Sequence, residues 1–144
     1  MKESDIAYIA GLFDGEGSIY YKNAPEKKKK HKGPGYRESQ SWRINMEVTM
    51  TDPMVINWLH QTLEVGTVTK KPRKGRRKDG TKYLMQYRWR CVFRDAYYVC
   101  CLIYPYSITK LEKVKQILDH YSDHKIMNDK VVDLNEYRKV MSLE

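Results

Sequence analysis

Residues 4–19 read SDIAYIAGLFDGEGSI, and the first part of this stretch predicts an amphipathic helix. Ser4 or Asp5 can cap a helix that runs from Ile6 to about Asp14, because both side chains are good acceptors for the free amides of a first helical turn. The apolar residues of this helix are Ile6, Ile9, Leu12 and Phe13.

A second face of the same helix consists of small residues. Ala7, Gly11 and Gly15 recur at positions i, i+4 and i+8, and Ala10 lies beside them. Glycine inside a helix lowers helix stability by about 1 kcal/mol relative to alanine, so we expect the glycines on this face to have a structural function. Small residues at this spacing let another helix approach closely. The sequence therefore predicts a helix–helix contact along this face.

The clearest strand follows further along the chain. Residues 41–48 alternate without a fault between an apolar and a polar side. The apolar side holds Trp42, Ile44, Met46 and Val48, and the polar side holds Ser41, Arg43, Asn45 and Glu47. Residues 18–22 are the expected hairpin partner of this strand.

The remaining elements complete an α+β domain. Asp52-Pro53 predicts the start of a helix that continues to Leu63. The other predicted elements are strands at 67–71 and 83–93, a helix at 95–104, a helix opened by a Thr109/Glu112 capping box, and a last helix at 131–141. We expect one αββαββα domain over 1–144, with a core at about 5–121, a C-terminal helical extension at about 122–144 and a four-stranded antiparallel sheet.

Positive charge is concentrated in two parts of the chain. The 144 residues include 27 Lys and Arg against 18 Asp and Glu, a net charge of +9. Fifteen of the basic residues lie at 22–37 and 70–82, where Gly and Pro predict hairpin connections. Such segments suit a polyanionic partner, although solvated loops would have the same composition. Apolar runs are only a few residues long, so we expect no membrane segment and no secretory signal.

A sheet with helices on one face leaves its other face free for a ligand. Hydrogen-bonding side chains on this face, together with the basic hairpins, predict contacts with double-stranded DNA. The predicted DNA-binding residues are Ser18, Tyr20, Lys22, Lys28, Lys29, Lys30, Ser41, Arg43, Asn45, Glu47, Thr67, Thr69, Lys71, Arg73, Arg76, Arg77, Gln86, Arg88 and Arg90. In the fourth strand the hydrophobic pattern puts Arg88 and Arg90 on this face.

The stretch Ile9-Ala10-Gly11-Leu12-Phe13-Asp14-Gly15-Glu16-Gly17, followed by Ser18-Ile19, resembles the signature of the LAGLIDADG homing endonucleases. The element order, the Asp52-Pro53 helix, the Pro105-Tyr106 step and Lys110 extend the resemblance over about residues 5–121. Counting back from Pro105 as in that family would instead put Tyr87 and Trp89 on the DNA side. A second copy of the motif is not found in residues 94–144, so the resemblance is to the single-motif, homodimeric type.

The resemblance implies a site-specific DNA endonuclease. Such an enzyme would make a magnesium-dependent double-strand break with 3′ overhangs at a long pseudo-palindromic target, with a saddle-shaped sheet from each protomer on the DNA. It implies Glu16 and Lys110 as catalytic residues, and Glu16 with Gly15 as ligands of Mg²⁺, which prefers oxygen donors. The implied dimer interface comprises Ala7, Ala10, Gly11, Asp14 and Gly15. No small-molecule cofactor is expected, and the reading frame would lie in an intron or in a free-standing gene.

Several alternatives stay open. Lys110 can also be an ordinary exposed lysine. Relatives often carry a hydrogen-bonding residue where this chain has Met50, with Thr49 or Thr51 as possible substitutes. The second function is a non-cleaving nucleic-acid-binding relative, either an intron maturase or a transcription regulator. His120 and His124 stand at i, i+4, but a zinc site needs further ligands, and a solvated helix face is the simpler interpretation.

The three cysteines, Cys91, Cys100 and Cys101, form an odd set without the spacing of a zinc site. Two of them are adjacent in an apolar stretch, which favours core thiols. We therefore expect an intracellular, reducing compartment, which could be the cytoplasm of a bacterium, with or without phage infection, or an organelle.

Overall fold

The computed structural model describes residues 1–122. In chain order the elements are α1 (Glu3–Glu16), β1 (Gly17–Lys29), β2 (Tyr36–Met50), α2 (Pro53–Leu63), β3 (Thr67–Lys71), β4 (Gln86–Val92), α3 (Arg94–Ile103) and α4 (Leu111–Ser122). This confirms the α+β class and the αββαββα order, followed by a further helix. The predicted helix at 131–141, most of the C-terminal extension at 122–144 and His124 lie outside the described residues.

Helix α1 begins earlier than the sequence predicts. Neither Ser4 nor Asp5 is the N-cap; Lys2 holds that position, and its backbone amide donates to the Asp5 carboxylate over 3.1 Å. The helix passes into β1 at Gly17 without a loop. A Cβ at Gly17 would lie 2.7 Å from Cα of Phe13, so only glycine fits this junction.

The four strands form one antiparallel sheet in the order β1-β2-β4-β3. One face of the sheet is covered by the helices. The core on that side includes Ile44, Met46 and Val48 from β2, Trp89 and Cys91 from β4, and apolar residues of all four helices. Trp42 continues the same side of β2 but lies beyond the core, where 38% of it is exposed.

The first basic segment is longer and more regular than the sequence predicts. Strands β1 and β2 pair continuously from Gly17↔Val48 to Lys29↔Tyr36, so the connection is only residues 30–35. Most of the predicted loop is therefore strand. Pro25 fits inside β1 because β1 is an edge strand, where a missing backbone donor can face solvent.

The register of β4 follows the hydrophobic pattern. Trp89 is fully buried, and its indole Nε1 donates to the carbonyl of Val65 over 2.9 Å. The alternation then puts Arg88 and Arg90 on the opposite side of the sheet. The alternative count, with Tyr87 and Trp89 facing outward, is wrong. The strand itself begins at Gln86 rather than Tyr83.

The contact between Gly66 and Trp89 gives a stability prediction. Gly66 has a φ of +88°, and a Cβ there would lie 2.7 Å from Nε1 of Trp89. We expect Gly66→Ala to lower the free energy of unfolding by about 3 kcal/mol, through backbone strain and overpacking. Gly80 is the control, since it has a φ of +86° with no atom within 4 Å of the added Cβ.

Urea unfolding measures both variants. Gly80→Ala should lose about 1–2 kcal/mol, the cost of a left-handed backbone alone. Equal losses for Gly66→Ala and Gly80→Ala would contradict the packing that the structure gives Trp89.

The thiols lie where the sequence predicts them. Cys91 and Cys100 are buried, and Cys101 is half-buried against the core. Burial raises the pKa of Cys91 to about 12 and that of Cys101 to about 11, and it raises the pKa of Cys100 well above the usual range. All three are therefore protonated thiols of low reactivity at neutral pH. Over residues 1–122, no helix combines the length and the apolar character that a bilayer crossing requires.

Candidate nucleic-acid interface

The face of the sheet opposite the helices carries the sequence-predicted contact residues in cross-strand rows. Ser18, Glu47, Arg90 and Thr67 form one row across all four strands. The neighbouring rows are Tyr20, Asn45 and Val92; Lys22 and Arg43; Thr49, Arg88 and Thr69; and Gln86 and Lys71. Ser41 continues this side along β2, opposite Ala24. The fold thus brings together strand residues that lie far apart in sequence.

The donors on this face are available to a ligand. None of Arg43, Arg88 and Arg90 is in an ion pair within the described part of the chain. The Arg88 Nε atom is buried and has no hydrogen-bond partner there. The planar Arg88 guanidinium therefore keeps its donors for a ligand. The face can therefore hydrogen-bond the edges of bases without first breaking internal bonds.

Two basic hairpins extend this face, and we name them the first arm (residues 22–41) and the second arm (residues 70–86). In the first arm, Lys27 pairs with Glu38 over 3.3 Å and Lys28 with Glu26 over 3.8 Å. Both pairs are exposed and therefore weak. The connection carries Lys30 and the strands carry Lys29 and Arg37, so the tip of the arm keeps a net positive charge.

The second arm is ordered by its own turn. The Asp79 carboxylate accepts from the backbone amide and the hydroxyl of Thr81, bonds that lower the pKa of Asp79. The Arg73 guanidinium lies 4.1 Å from the centre of the Tyr83 ring, a cation–π contact. The cations of the turn, including Arg76 and Arg77, are exposed. This arm can therefore present several charges to phosphates in one geometry.

Charge removal in the arms gives a second prediction. The variant replaces Lys28, Lys29, Lys30, Lys74, Arg76 and Arg77 by Gln. We expect binding to all DNA sequences to weaken alike, and the slope of log K against log salt to become shallower by up to ~5, because each phosphate contact releases counterions. Fluorescence anisotropy in a salt series on specific and random duplexes is the measurement.

Lys113→Gln with Lys115→Gln is the control, because both lysines are exposed on α4. They lie away from the sheet face opposite the helices, which we call the outward face. This pair should leave the salt slope unchanged. A changed sequence preference in the six-residue variant would mean that the arms read bases.

The end of α1 meets the start of α4 through Asp14. Its carboxylate accepts from the amide of Ile108 over 2.9 Å and from the amide of Lys110 over 3.0 Å. Helix α4 begins at Leu111, so its N-cap is Lys110. The predicted Thr109 capping box therefore does not open α4, and Asp14 holds the turn that precedes the helix. The sequence could not find this bond, since its partners are 96 positions apart.

The two predicted catalytic residues, Glu16 and Lys110, lie on the two segments that Asp14 connects. Glu16 is the exposed last residue of α1, and half-buried Lys110 precedes α4. Neither side chain forms an ion pair within residues 1–122. Asp14, predicted as a helix-cap or dimer-interface residue, holds the turn before α4 within its own chain. The backbone of Lys110 is thus held beside the last turn of α1, the turn that ends at Glu16.

The small-residue face of α1 is open. No heavy atom lies within 4 Å of a Cβ built on Gly11 or Gly15, and both residues are exposed. Ala7 is half-buried. Ala10 was predicted at the interface, and this is wrong, because it is fully buried in the core of its own chain. The packing of a single chain does not account for Gly11 and Gly15.

Oxygen donors are the groups that a cation would find at this helix end. Glu16 offers a carboxylate, and the Gly15 carbonyl lies in the last turn, where carbonyls lack intrahelical partners. The described residues hold no group of three or more His, Cys, Asp and Glu that could bind a metal. Mg²⁺ does not need one, since it binds through one or two carboxylates with water and phosphate. The donor set therefore fits Mg²⁺, with one carboxylate per chain.

The structure shows the surroundings of two residues whose roles the sequence leaves open, His120 and Met50. His120 belongs to an aromatic cluster in which its ring lies 5.0 Å from Trp42 and its Nδ1 is 3.3 Å from the Tyr21 hydroxyl. This gives His120 a packing role that needs no zinc. Met50 packs against the core, while Thr49 faces outward beside Arg88.

Comparison with known proteins gives structural similarity at low sequence identity. No family profile matches the sequence, and no curated protein matches it. Three similar solved structures are I-CvuI bound to the I-CreI target with Mg and uncleaved DNA, I-CvuI bound to its own target with Ca, and the I-SmaMI LAGLIDADG homing endonuclease bound to cleaved DNA.

The TM-scores to these structures are 0.58, 0.53 and 0.52, and the sequence identities are 21%, 16% and 16%. The alignments cover 81%, 95% and 93% of this chain, and they cover 65%, 92% and 42% of the other chains. The chain therefore spans less than two thirds of the first and less than half of the third. At these identities the likeness shows the fold, which is that of the homing endonucleases.

Proposed function

We propose that the protein is a site-specific, magnesium-dependent DNA endonuclease that acts as a homodimer. Its product is a double-strand break with 3′ overhangs at a long pseudo-palindromic target. The observation that carries this proposal is the position of Glu16. This exposed carboxylate ends the helix that presents the open Gly11/Gly15 face, and the next residue, Gly17, begins the sheet.

Duplex DNA is the partner that the outward face suits best. A two-stranded ribbon fits the major groove, and Arg, Asn and Glu side chains can read base edges there. The arms add exposed cations at both ends of the face, which suits phosphates on either side of the groove. Each of the three similar structures described above is a DNA complex.

A two-fold dimer supports the catalytic part of the proposal. Packing two Gly11/Gly15 faces together would bury both open surfaces and bring the C-terminal ends of two α1 helices close together. Each protomer would then contribute one Glu16 carboxylate to a shared centre. Two carboxylates close together repel each other unless a cation lies between them.

The expected chemistry is an in-line displacement at phosphorus. A water oxygen attacks the phosphate, and the bond from phosphorus to the 3′ oxygen breaks. Glu16 and the Gly15 carbonyl would hold the divalent cation, which supplies charge stabilisation for the attacking and leaving oxygens. The Lys110 ammonium would lie near the scissile phosphate and stabilise the negative charge that develops there.

The second candidate function is that of a non-cleaving DNA-binding protein, and the residue that favours it is Met50. This residue packs into the core and cannot orient a water, so hydrolysis would rely on Thr49, Thr51 or the cation's own waters. Retention of an exposed Glu16 favours the nuclease.

The deciding experiment uses a library of randomised duplexes. Purified protein is incubated with the library in Mg²⁺ or in EDTA, and the cut ends are sequenced. We expect cuts at one pseudo-palindromic site in Mg²⁺ and none in EDTA. Enrichment of the same site by binding without any cut would instead establish the second candidate.

A further inference from the structure

Val92 is an exposed aliphatic side chain among polar neighbours on the outward sheet face. It is 40% exposed at the end of β4, on the same side as Arg88 and Arg90. Sequence reasoning missed it, because an apolar residue at the end of a strand looks like part of the core. Val92 does not belong to the buried core, so its apolar character is not explained by core packing.

The register puts Val92 directly beside Asn45. The two residues are cross-strand partners on β2 and β4. The amide of Phe93 donates to the carbonyl of Ile44 over 3.0 Å, which makes Asn45 and Val92 a non-hydrogen-bonded pair. Side chains are closest in such pairs, with Cβ atoms about 5 Å apart. Both side chains therefore reach into the same small volume above the sheet.

The two side chains complement the two bases of one A·T pair. An Asn amide can bond N6 and N7 of adenine at once, and an aliphatic group contacts the C5-methyl of thymine. Both features are exposed in the major groove of the same base pair. We infer that Asn45 and Val92 together recognise one A·T pair in each half of the target, with the thymine methyl on Val92. This inference rests on the proposed function and specifies what its sheet face reads.

The inference also favours DNA over RNA as the partner. RNA carries uracil, which lacks the methyl group that Val92 would contact. The deep and narrow major groove of an RNA duplex also excludes side chains. An RNA-binding maturase would therefore have no use for Val92 in this position.

The test is a methyl-deletion scan on the site that the wild-type protein selects. Each thymine in turn is replaced by deoxyuridine, and the dissociation constant is measured. We expect one thymine per half-site at which removal of the methyl weakens binding about fourfold, the value of one buried methyl group. Val92→Ala should lose most of the preference for thymine over uracil at that position, and Val92→Thr should keep more of it.

A second probe reports on Asn45. Replacing the adenine opposite that thymine by 7-deazaadenine should weaken binding by the wild type and have no effect on Asn45→Ala. Met54→Ala is the control, since Met54 is 78% exposed on α2 and lies on the helix side of the sheet. It should keep the wild-type response to both base analogues.

The outcomes separate the inference from the proposed function. A wild type that selects and cuts a site but shows no Val92-dependent uracil effect overturns the inference alone. A wild type without any DNA sequence preference overturns both. Tighter binding to an RNA duplex than to the matching DNA, with no response to deoxyuridine, also overturns the inference.

Discussion

Glu16→Gln is expected to abolish DNA cleavage while leaving DNA binding within roughly tenfold of the wild type, because phosphate and base contacts survive. The substitution removes a charge at the exposed end of α1 and preserves the size of the side chain. Even outer-shell changes around metals reduce activity by 10–100-fold, so losing a direct ligand should cost at least about a hundredfold.

Single-turnover cleavage of the selected site and anisotropy on the same duplex are the measurements. Glu64→Gln is the matched control, since Glu64 is an exposed glutamate at the C-cap of α2. It should cut at the wild-type rate. An active Glu16→Gln enzyme would contradict the proposed role of Glu16 in cation binding and catalysis.

Gly11→Leu is expected to convert the proposed dimer to monomers or aggregates and to abolish the proposed double-strand cleavage. Within one chain the Cβ of the new side chain meets nothing within 4 Å, and Gly11 is exposed. Leucine also forms helices better than glycine, so each monomer should become more stable by up to about 1 kcal/mol. Loss of assembly together with a gain in monomer stability is a combination that general misfolding cannot produce.

Sedimentation velocity and urea unfolding measure the two effects separately. Gly11→Ala is the control, since it gains helix propensity but keeps a small side chain at the contact. It should stay closer to the wild type in assembly than Gly11→Leu does. A wild-type protein that sediments as a monomer and still cuts both strands would refute the two-fold arrangement.

The parts of the fold that the sequence predicted are those with local signals. The alternation of residues 41–48, the Asp52-Pro53 helix start and the buried side of β4 each depend on neighbours within a few positions. All three are confirmed: Ile44, Met46 and Val48 are buried, Asp52 caps α2 by accepting from the amide of Met54, and Trp89 is in the core.

The errors come from contacts between distant residues. The start of α4 was assigned to a Thr109 capping box because such a box is local, whereas the turn before α4 is held by Asp14 from another helix. Ala10 looked like its small neighbours, but the helix turns it by about 100° per residue into the core. The length of β1 was underestimated because Lys-rich and Pro-containing segments are usually loops, and pairing with β2 outweighs that preference.

The candidate site was predicted in part. The outward sheet residues followed from alternation, and the structure brings them together in rows. The position of Lys110 next to the last turn of α1, which ends at Glu16, could be expected only from the resemblance to the homing endonucleases. Val92 was missed because exposure, unlike polarity, cannot be read from the amino-acid type.

The direct passage from α1 to β1 at Gly17 restricts how such a protein can evolve. One inserted residue at this point would rotate the helix by about 100° relative to the sheet and shift it by about 1.5 Å. Glu16 and the strand residues of the outward face would then no longer keep their relative positions, although the helix and the strand would each still form. Substitutions on the outward face change no such geometry. We therefore expect descendants of this sequence to acquire new recognition sequences by substitution, and to conserve chain length at the helix–strand junction.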